Sequence, residues 1–151
     1  LISNASKILL KILNNRLRAA TEAYTGNDQF GFIKGMGTRE SIAMMRMLWE
    51  RSIEHNQPVH VCFVDYEKAF DKVDWPRLME ILRSLGVDWR DRRIITALYM
   101  GQTATVRTDH GEAGPCIIGR GIRQGCLLSP QLFNIYAENM MKEAMEEVEE
   151  S

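Results

Sequence analysis

Residues 61–75 read VCFVDYEKAFDKVDW. The apolar run Val61 to Val64 predicts a buried strand over residues 59–66, and that strand ends on Asp65. Glu67, Asp71 and Asp74 follow at once. A carboxylate is rarely buried without a partner, but it is tolerated at a strand end where a cation or water can reach it. Ligands gather at such ends in sheets flanked by helices. The residues after Asp65 can turn into a helix, which would bring several backbone N–H groups together just past the carboxylate. One acid beside converging N–H groups suits a magnesium-bound polyphosphate, the acid holding the metal and the N–H groups the phosphate oxygens. The same pattern suits an aspartate that merely caps the next turn, and spacing leaves both readings open.

The pattern outward from this stretch is mixed. "LISNASKILLKILNNRLR" predicts an amphipathic helix from about Ser3 to Tyr24. Its expected apolar stripe is Ile8, Leu9, Ile12, Leu13 and Leu17, with Lys11, Asn14 and Arg18 opposite. "TGNDQFGFIKGMGT" is glycine-rich and reads as a structured loop. Thr38 is placed to cap a second helix with the stripe Ile42, Met45, Leu48, Trp49 and Ile53. A third helix follows Asp74, with Pro76 in its first turn and Gly86 at its end. A fourth is capped by Asp88 and ends near Gly101, with Arg90, Arg92 and Arg93 crowding its first turn. That charge opposes the helix dipole; partners outside the helix and simple solvation both fit it. Residues 103–120 alternate as a hairpin with its turn at His110-Gly111. "GIRQGCLLSP" is a second glycine-bounded loop; Ser129 caps and Pro130 opens a last helix to about residue 148. Interspersed strands and helices indicate an α+β domain, a small antiparallel sheet packed on helices.

The 151 residues make one domain's length, and 45% apolar content is enough for a core. No apolar run reaches the roughly 18 residues that a membrane span needs, and the basic N-terminus reads as a helix rather than a signal peptide. Cys62, Cys116 and Cys126 form no CxxC pair, and His55, His60 and His110 form no HExxH. Disulfide and zinc chemistry are therefore not expected; the cysteines read as reduced core residues of an intracellular protein, nuclear or cytoplasmic. The net charge of −1 hides an acidic tail. Residues 138–151 hold six glutamates and one lysine, leaving the rest mildly basic, at about +4. Such a body is compatible with nucleic acid, and equally with an ordinary solvated surface.

Four segments in order carry a resemblance. "FVDYEKAFDKV" resembles the motif of non-LTR (LINE-type) retrotransposon reverse transcriptases that holds the first catalytic aspartate. "QFGFIKGMGTRESI", residues 29–42, is similar to the segment upstream of it in that family, "GIRQGCLLSPQLFNIY", residues 121–136, to the segment downstream, and "SKILLKILNNRLR", residues 6–18, to the helix that opens the core. The resemblance covers nearly the whole chain. It implies a partial right-hand polymerase, with residues 1–57 as fingers/palm helices and loop and residues 58–151 as palm. By the same resemblance Asp65 is a catalytic metal ligand and the Tyr66 carbonyl a second ligand. Lys68 and Ala69 would face the triphosphate through their N–H groups. Phe70 would be the steric gate against a ribose 2′-hydroxyl, and Gln124 and Gly125 would pack on the incoming nucleotide and template base. Phe70 as plain core and Gln124 as an ordinary loop residue are the competing readings, while Asp71 and Asp74 read as surface or capping residues.

The implied activity is RNA-directed DNA polymerisation: transfer of a nucleotide from a dNTP to a primer 3′-OH on an RNA template, with a two-ion Mg²⁺ site. The implied partners are RNA template, DNA primer, dNTP and the remainder of a retrotransposon polyprotein, with no membrane. The family's later pair of adjacent aspartates has no counterpart here, since the sequence has no Asp-Asp. The chain begins with Leu1 and lacks the family's upstream Arg-Pro-Ile and its thumb. The expectation is thus a piece truncated at both ends and inactive alone. Two alternatives stand beside it. One is a catalytically dead RNA-binding relic using Arg90, Arg92, Arg93, Arg107, Arg120 and Arg123. The other is an RNA-dependent RNA polymerase, against which Phe70 and the "RQG" loop argue.

Overall fold

Capping residues start the two central helices where the sequence places them. In the computed structural model, which describes residues 4–109 and 111–149, Asp74 accepts a hydrogen bond from the Arg77 N–H at 2.9 Å and Pro76 sits in the first turn of the helix Trp75–Ser84. Asp88 does the same for the Arg90 N–H at 2.7 Å ahead of Trp89–Tyr99. Each cap satisfies an N–H that the helix itself cannot. Gly86, at φ +74, reverses the chain between them.

In chain order the elements are α1 (Asn4–Thr21), α2 (Thr38–Glu54), a short 3₁₀ turn (Ala69–Lys72), α3 (Trp75–Ser84), α4 (Trp89–Tyr99), β1 (Thr103–Thr108), β2 (Gly111–Ile117) and α5 (Ser129–Glu149). The core is helical. Leu10, Leu13 and Leu17 of α1 meet Leu78 and Leu82 of α3, Ile95 and Tyr99 of α4, and Leu128, Leu132 and Ile135 at the start of α5. Burying one such side chain stabilises by roughly 1.5–3 kcal/mol. Arg16 adds an ion pair at 3.0 Å to the buried Asp91 in the first turn of α4. Asp91 also offsets the arginines around it, and Arg92 donates to the Val87 carbonyl at 3.0 Å, so one of the three expected outward arginines is bonded within the chain.

Several expectations are corrected. On α1 the buried stripe is Leu10, Leu13, Leu17 and Thr21, while Ile8, Leu9 and Ile12 are exposed. The helix carries apolar residues around much of its circumference, and packing against α5 selects one face. Thr38 lies inside α2 and the cap position is Gly37, which has no side chain to offer. The α2 stripe is not buried: Ile42, Leu48 and Trp49 are exposed and Ile53 is 81% exposed. Residues 59–66 form no strand. Among the described residues no strand pairs with them, and a lone strand leaves its N–H and C=O groups unbonded. Val61 and Val64 are exposed and Phe63 is 82% exposed, so Asp65 does not end a buried strand.

The antiparallel sheet is the two-stranded hairpin β1–β2, with a bulge between Ala104 and Val106 and a cross-strand Arg107–Glu112 pair at 2.8 Å. It does not pack on the helices: every described position in both strands is exposed. Its base is closed by the Ile118 N–H on the Gln102 carbonyl at 2.9 Å, and Ile118 joins the edge of the core. The expected turn residue His110 lies outside the described residues. Only Cys126 is a core cysteine; Cys62 lies on the unpaired segment and Cys116 on the hairpin, and both are exposed.

Candidate functional site

The chain arrives along residues 59–66 and must turn sharply to enter the 3₁₀ turn. Lys68 makes that turn in the left-handed region, φ 52 and ψ 48, which costs a residue with a Cβ about 1–2 kcal/mol. Before the turn Asp65, Tyr66 and Glu67, and after it Ala69, line a cavity of about 350 Å³ whose other wall is Phe133, Tyr136 and neighbours on α5. The Tyr66 ring meets Phe133 edge-on at 6.5 Å, and its hydroxyl lies 3.6 Å from the Met141 sulfur. Glu67 pairs with Lys72 at 3.6 Å, and both line the cavity; Asp65, on the same wall, is in no ion pair among the described residues.

Phe70 packs between two other rings. It stacks on Phe133 (centroids 4.9 Å apart, planes 26° apart) and meets Phe32 in a T-shaped pair with centroids 5.9 Å apart. Such contacts are worth about 0.5–1.5 kcal/mol each beyond the area they bury. The Phe70 carbonyl accepts from the Ile122 N–H at 2.9 Å, and the Val73 carbonyl from the Gly121 N–H at 2.8 Å. The Gly121 carbonyl in turn accepts from the Trp75 indole at 2.7 Å. Gly121 sits at φ +96, and a Cβ there would come within 3.0 Å of the Asp71 Cα and carbonyl oxygen. Only glycine allows the two backbones to approach so closely.

The glycine-rich loop 25–37 is bound to the same helix. Asn134, 3% exposed, donates to the Gly31 carbonyl at 2.8 Å and accepts from the Gln29 amide at 3.3 Å. Gln131 donates to Thr21 at 2.9 Å and Lys142 to the Tyr24 carbonyl at 3.0 Å. Behind the cavity, burial pushes the Tyr99 phenol up to about 12, opposed by its contact with the Ser129 hydroxyl at 3.3 Å. Ser129 also donates to the Arg123 carbonyl at 2.6 Å, closing the loop ahead of α5.

With this geometry in place, comparison with known proteins is informative. Residues 1–150 match the family model described as reverse transcriptase (RNA-dependent DNA polymerase). The chain belongs to that family. Curated relatives agree. It is 30% identical over 140 residues to a retrovirus-related Pol polyprotein from type-1 retrotransposable element R2 of Popillia japonica, covering 92% of this chain and 19% of that protein. It is 27% identical over 142 residues to an RNA-directed DNA polymerase from mobile element jockey of Drosophila funebris, covering 93% and 15%. It is 27% identical over 138 residues to a transposon TX1 149 kDa protein of Xenopus laevis, covering 91% and 11%. The chain therefore spans a fifth or less of the length of these relatives.

In this reverse transcriptase chain the residues singled out from sequence divide into two groups. Asp65, Tyr66 and Ala69 share the cavity wall, Lys68 makes the turn between them and Phe70 packs on the Phe133 ring that the cavity also touches. Gln124 and Gly125 form an exposed turn, Gly125 at φ +75, and neither lines the cavity, although their loop is bonded to residues 70–73 through Gly121 and Ile122. Asp74 caps α3, and Asp71 is exposed with its backbone against Gly121. Sequence reasoning missed Gly121, Trp75, Phe133 and Asn134. Only Gly121 carried a local signal, as the glycine that opens its loop. Of the six arginines considered as contacts for a binding module, Arg107 pairs with Glu112 and Arg123 donates to Gln102 at 3.0 Å, besides the Arg92 bond.

A two-ion magnesium centre needs several oxygen donors around each ion. Among the described residues no group of three or more acidic, histidine or cysteine side chains is placed to hold a metal. Asp65 and a backbone carbonyl do not complete such a centre. Among the described residues no helix is long and apolar enough to cross a membrane.

Proposed function

We propose that this chain is the fingers/palm portion of a retrotransposon RNA-directed DNA polymerase, contributing one side of the nucleotide site of a longer polypeptide. The observation that carries this reading is the joining of two motifs about fifty residues apart in sequence. Residues 65–70 and 121–136 meet at one cavity, held by the Ile122–Phe70 and Gly121–Val73 backbone bonds. In this reading Asp65, with the Tyr66 carbonyl, gives a magnesium ion its first oxygen donors. The backbone at Lys68 and Ala69 faces the triphosphate, and Phe70 faces the sugar and excludes a 2′-hydroxyl. Gln124 and Gly125 lie against the nucleotide and template base. RNA template, DNA primer and dNTP are the substrates, and the rest of the polyprotein supplies the remaining metal ligands and the grip on the duplex. The site of action is the nucleus or cytoplasm.

Because the donors among the described residues do not make a two-ion site, no step of the transfer is assigned to this chain alone. The test has two arms. Primer extension on a primed RNA template with Mg²⁺ and dNTPs yields no product with the isolated chain; processive extension by it would overturn the reading. In the polymerase that carries this chain, Asp65→Asn abolishes extension, with at least a thousandfold loss; retained synthesis would remove Asp65 from the metal site.

A further inference from the structure

The aromatic stack at the cavity edge is held from a direction that the family reading does not use. Phe32 lies in the glycine-rich loop, 63% exposed, with its backbone at φ +60. That region is unfavourable for a bulky side chain, and such a residue stays there only when its surroundings over-determine it. The residue before it supplies the restraint. The Gly31 carbonyl accepts two side-chain bonds, from Asn134 at 2.8 Å and from Gln29 at 3.2 Å, and Gln29 is itself bonded to Asn134 at 3.3 Å. Asn134 is buried, and its neighbour on α5 is Phe133, the ring on which Phe70 stacks. One turn of α5 therefore bears on both neighbours of Phe70: Phe133 stacks on it, and Asn134 fixes the backbone that carries Phe32 into its T-shaped contact with it.

We propose that Asn134 and Phe32 are positioning residues for Phe70, and that together they set how strictly the sugar site rejects a 2′-hydroxyl. The proposal rests on the reading of Phe70 as the sugar-facing ring. Neither residue touches the nucleotide in this scheme; both act by limiting how far the Phe70 ring can swing. Removing one edge-on aromatic contact relaxes the ring by the equivalent of about two- to tenfold in an equilibrium.

The experiment measures single-nucleotide incorporation of dNTP and rNTP, kcat and KM separately, in the polymerase that carries this chain. Phe32→Ala leaves the helical core untouched because the ring is exposed. At a pH where its carboxyl is ionised, Asn134→Asp keeps the shape and the acceptor for Gln29 but cannot donate to the Gly31 carbonyl. Both variants lower the dNTP-to-rNTP preference by about two- to tenfold through a lower KM for rNTP, with kcat for dNTP retained, and Phe32→Tyr restores the wild-type ratio. In a Phe70→Ala background Phe32→Ala has no further effect, because the ring that it positions is gone. A second readout needs no activity: with 4-fluorophenylalanine at the five phenylalanines of the isolated chain, the fluorine line lost in Phe70→Leu shifts in Phe32→Ala and Asn134→Asp. If both variants keep the wild-type ratio and the Phe70 line while Phe70→Ala relaxes selection, the positioning role is wrong and the gate stands. If Phe70→Ala itself leaves selection unchanged, the gate reading fails and this proposal falls with it.

Discussion

Residues 38–66 and the two stretches 69–99 and 122–136 are both rich in apolar side chains, yet the former is largely exposed and the latter supply most of the core. In the first, Trp49, Ile53, Phe63 and Val64 face solvent. In the second, Leu78, Leu82, Ile95, Leu128, Leu132 and Ile135 are essentially inaccessible. Hydrophobic periodicity does not distinguish them. The difference is the presence of a packing partner: α3, α4, α5 and one face of α1 cover one another, whereas α2 and the residues after it offer apolar faces that no described element buries. Periodicity tells which face would be buried, and the neighbouring elements decide whether it is.

Substitutions can break or sharpen that contrast. Leu132→Ala empties a fully buried position at the centre of the core and lowers the unfolding free energy by about 2–5 kcal/mol, read as a fall in the urea midpoint. Gly121→Ala forces a Cβ into the Asp71 backbone at a positive φ; the expected loss is about 2–4 kcal/mol by the same assay, and a neutral result would mean that the two motifs are not in contact. The buried Tyr99 phenol gives a pH arm. Its folded pKa is about 12 against an ordinary value near 10, so the folded state holds a proton that the unfolded chain loses first. Stability from this group is constant below about pH 10 and falls between about pH 10 and 12, by roughly 3 kcal/mol. Tyr99→Phe removes that dependence, as pH-resolved urea titrations would show. Asp74→Ala removes a cap and costs about 1 kcal/mol. Trp49→Ala, in the exposed stretch, changes stability by no more than about 0.5 kcal/mol. A loss above 2 kcal/mol there would show that α2 is packed in solution and would erase the contrast.

Legibility in the sequence followed the range of the interactions. Asp74, Pro76, Gly86 and Asp88 act within one turn of their own positions, and the helices that they bound were readable. The hairpin was readable for the same reason, since its strands are joined by a short turn. The α1 stripe was misplaced because α5, more than a hundred residues later, chooses among its apolar faces. The strand over residues 59–66 was misread because an apolar run gives a strand's side chains but not its hydrogen-bonding neighbour. Asp65, Tyr66 and Ala69, singled out through a resemblance to a family motif, line one cavity. Gln124 and Gly125, expected by the same resemblance to pack on the nucleotide and template base, do not line that cavity. Phe133 and Asn134 left no local trace: they read as two more residues of a helix, and only the tertiary fold gives them neighbours.

The bond from Asn134 to the Gly31 carbonyl spans 103 residues. At typical synthesis rates of about 5–20 residues per second, Asn134 is made roughly 5–20 s after Gly31. During that interval the glycine-rich loop has none of its anchors on α5, and Phe32 has neither Phe70's final partner nor a reason to hold its strained backbone. The two walls of the cavity thus close only when the start of α5 has left the ribosome, and a chain arrested before that point has no such cavity. The order of synthesis makes the cavity among the last features of this chain to assemble.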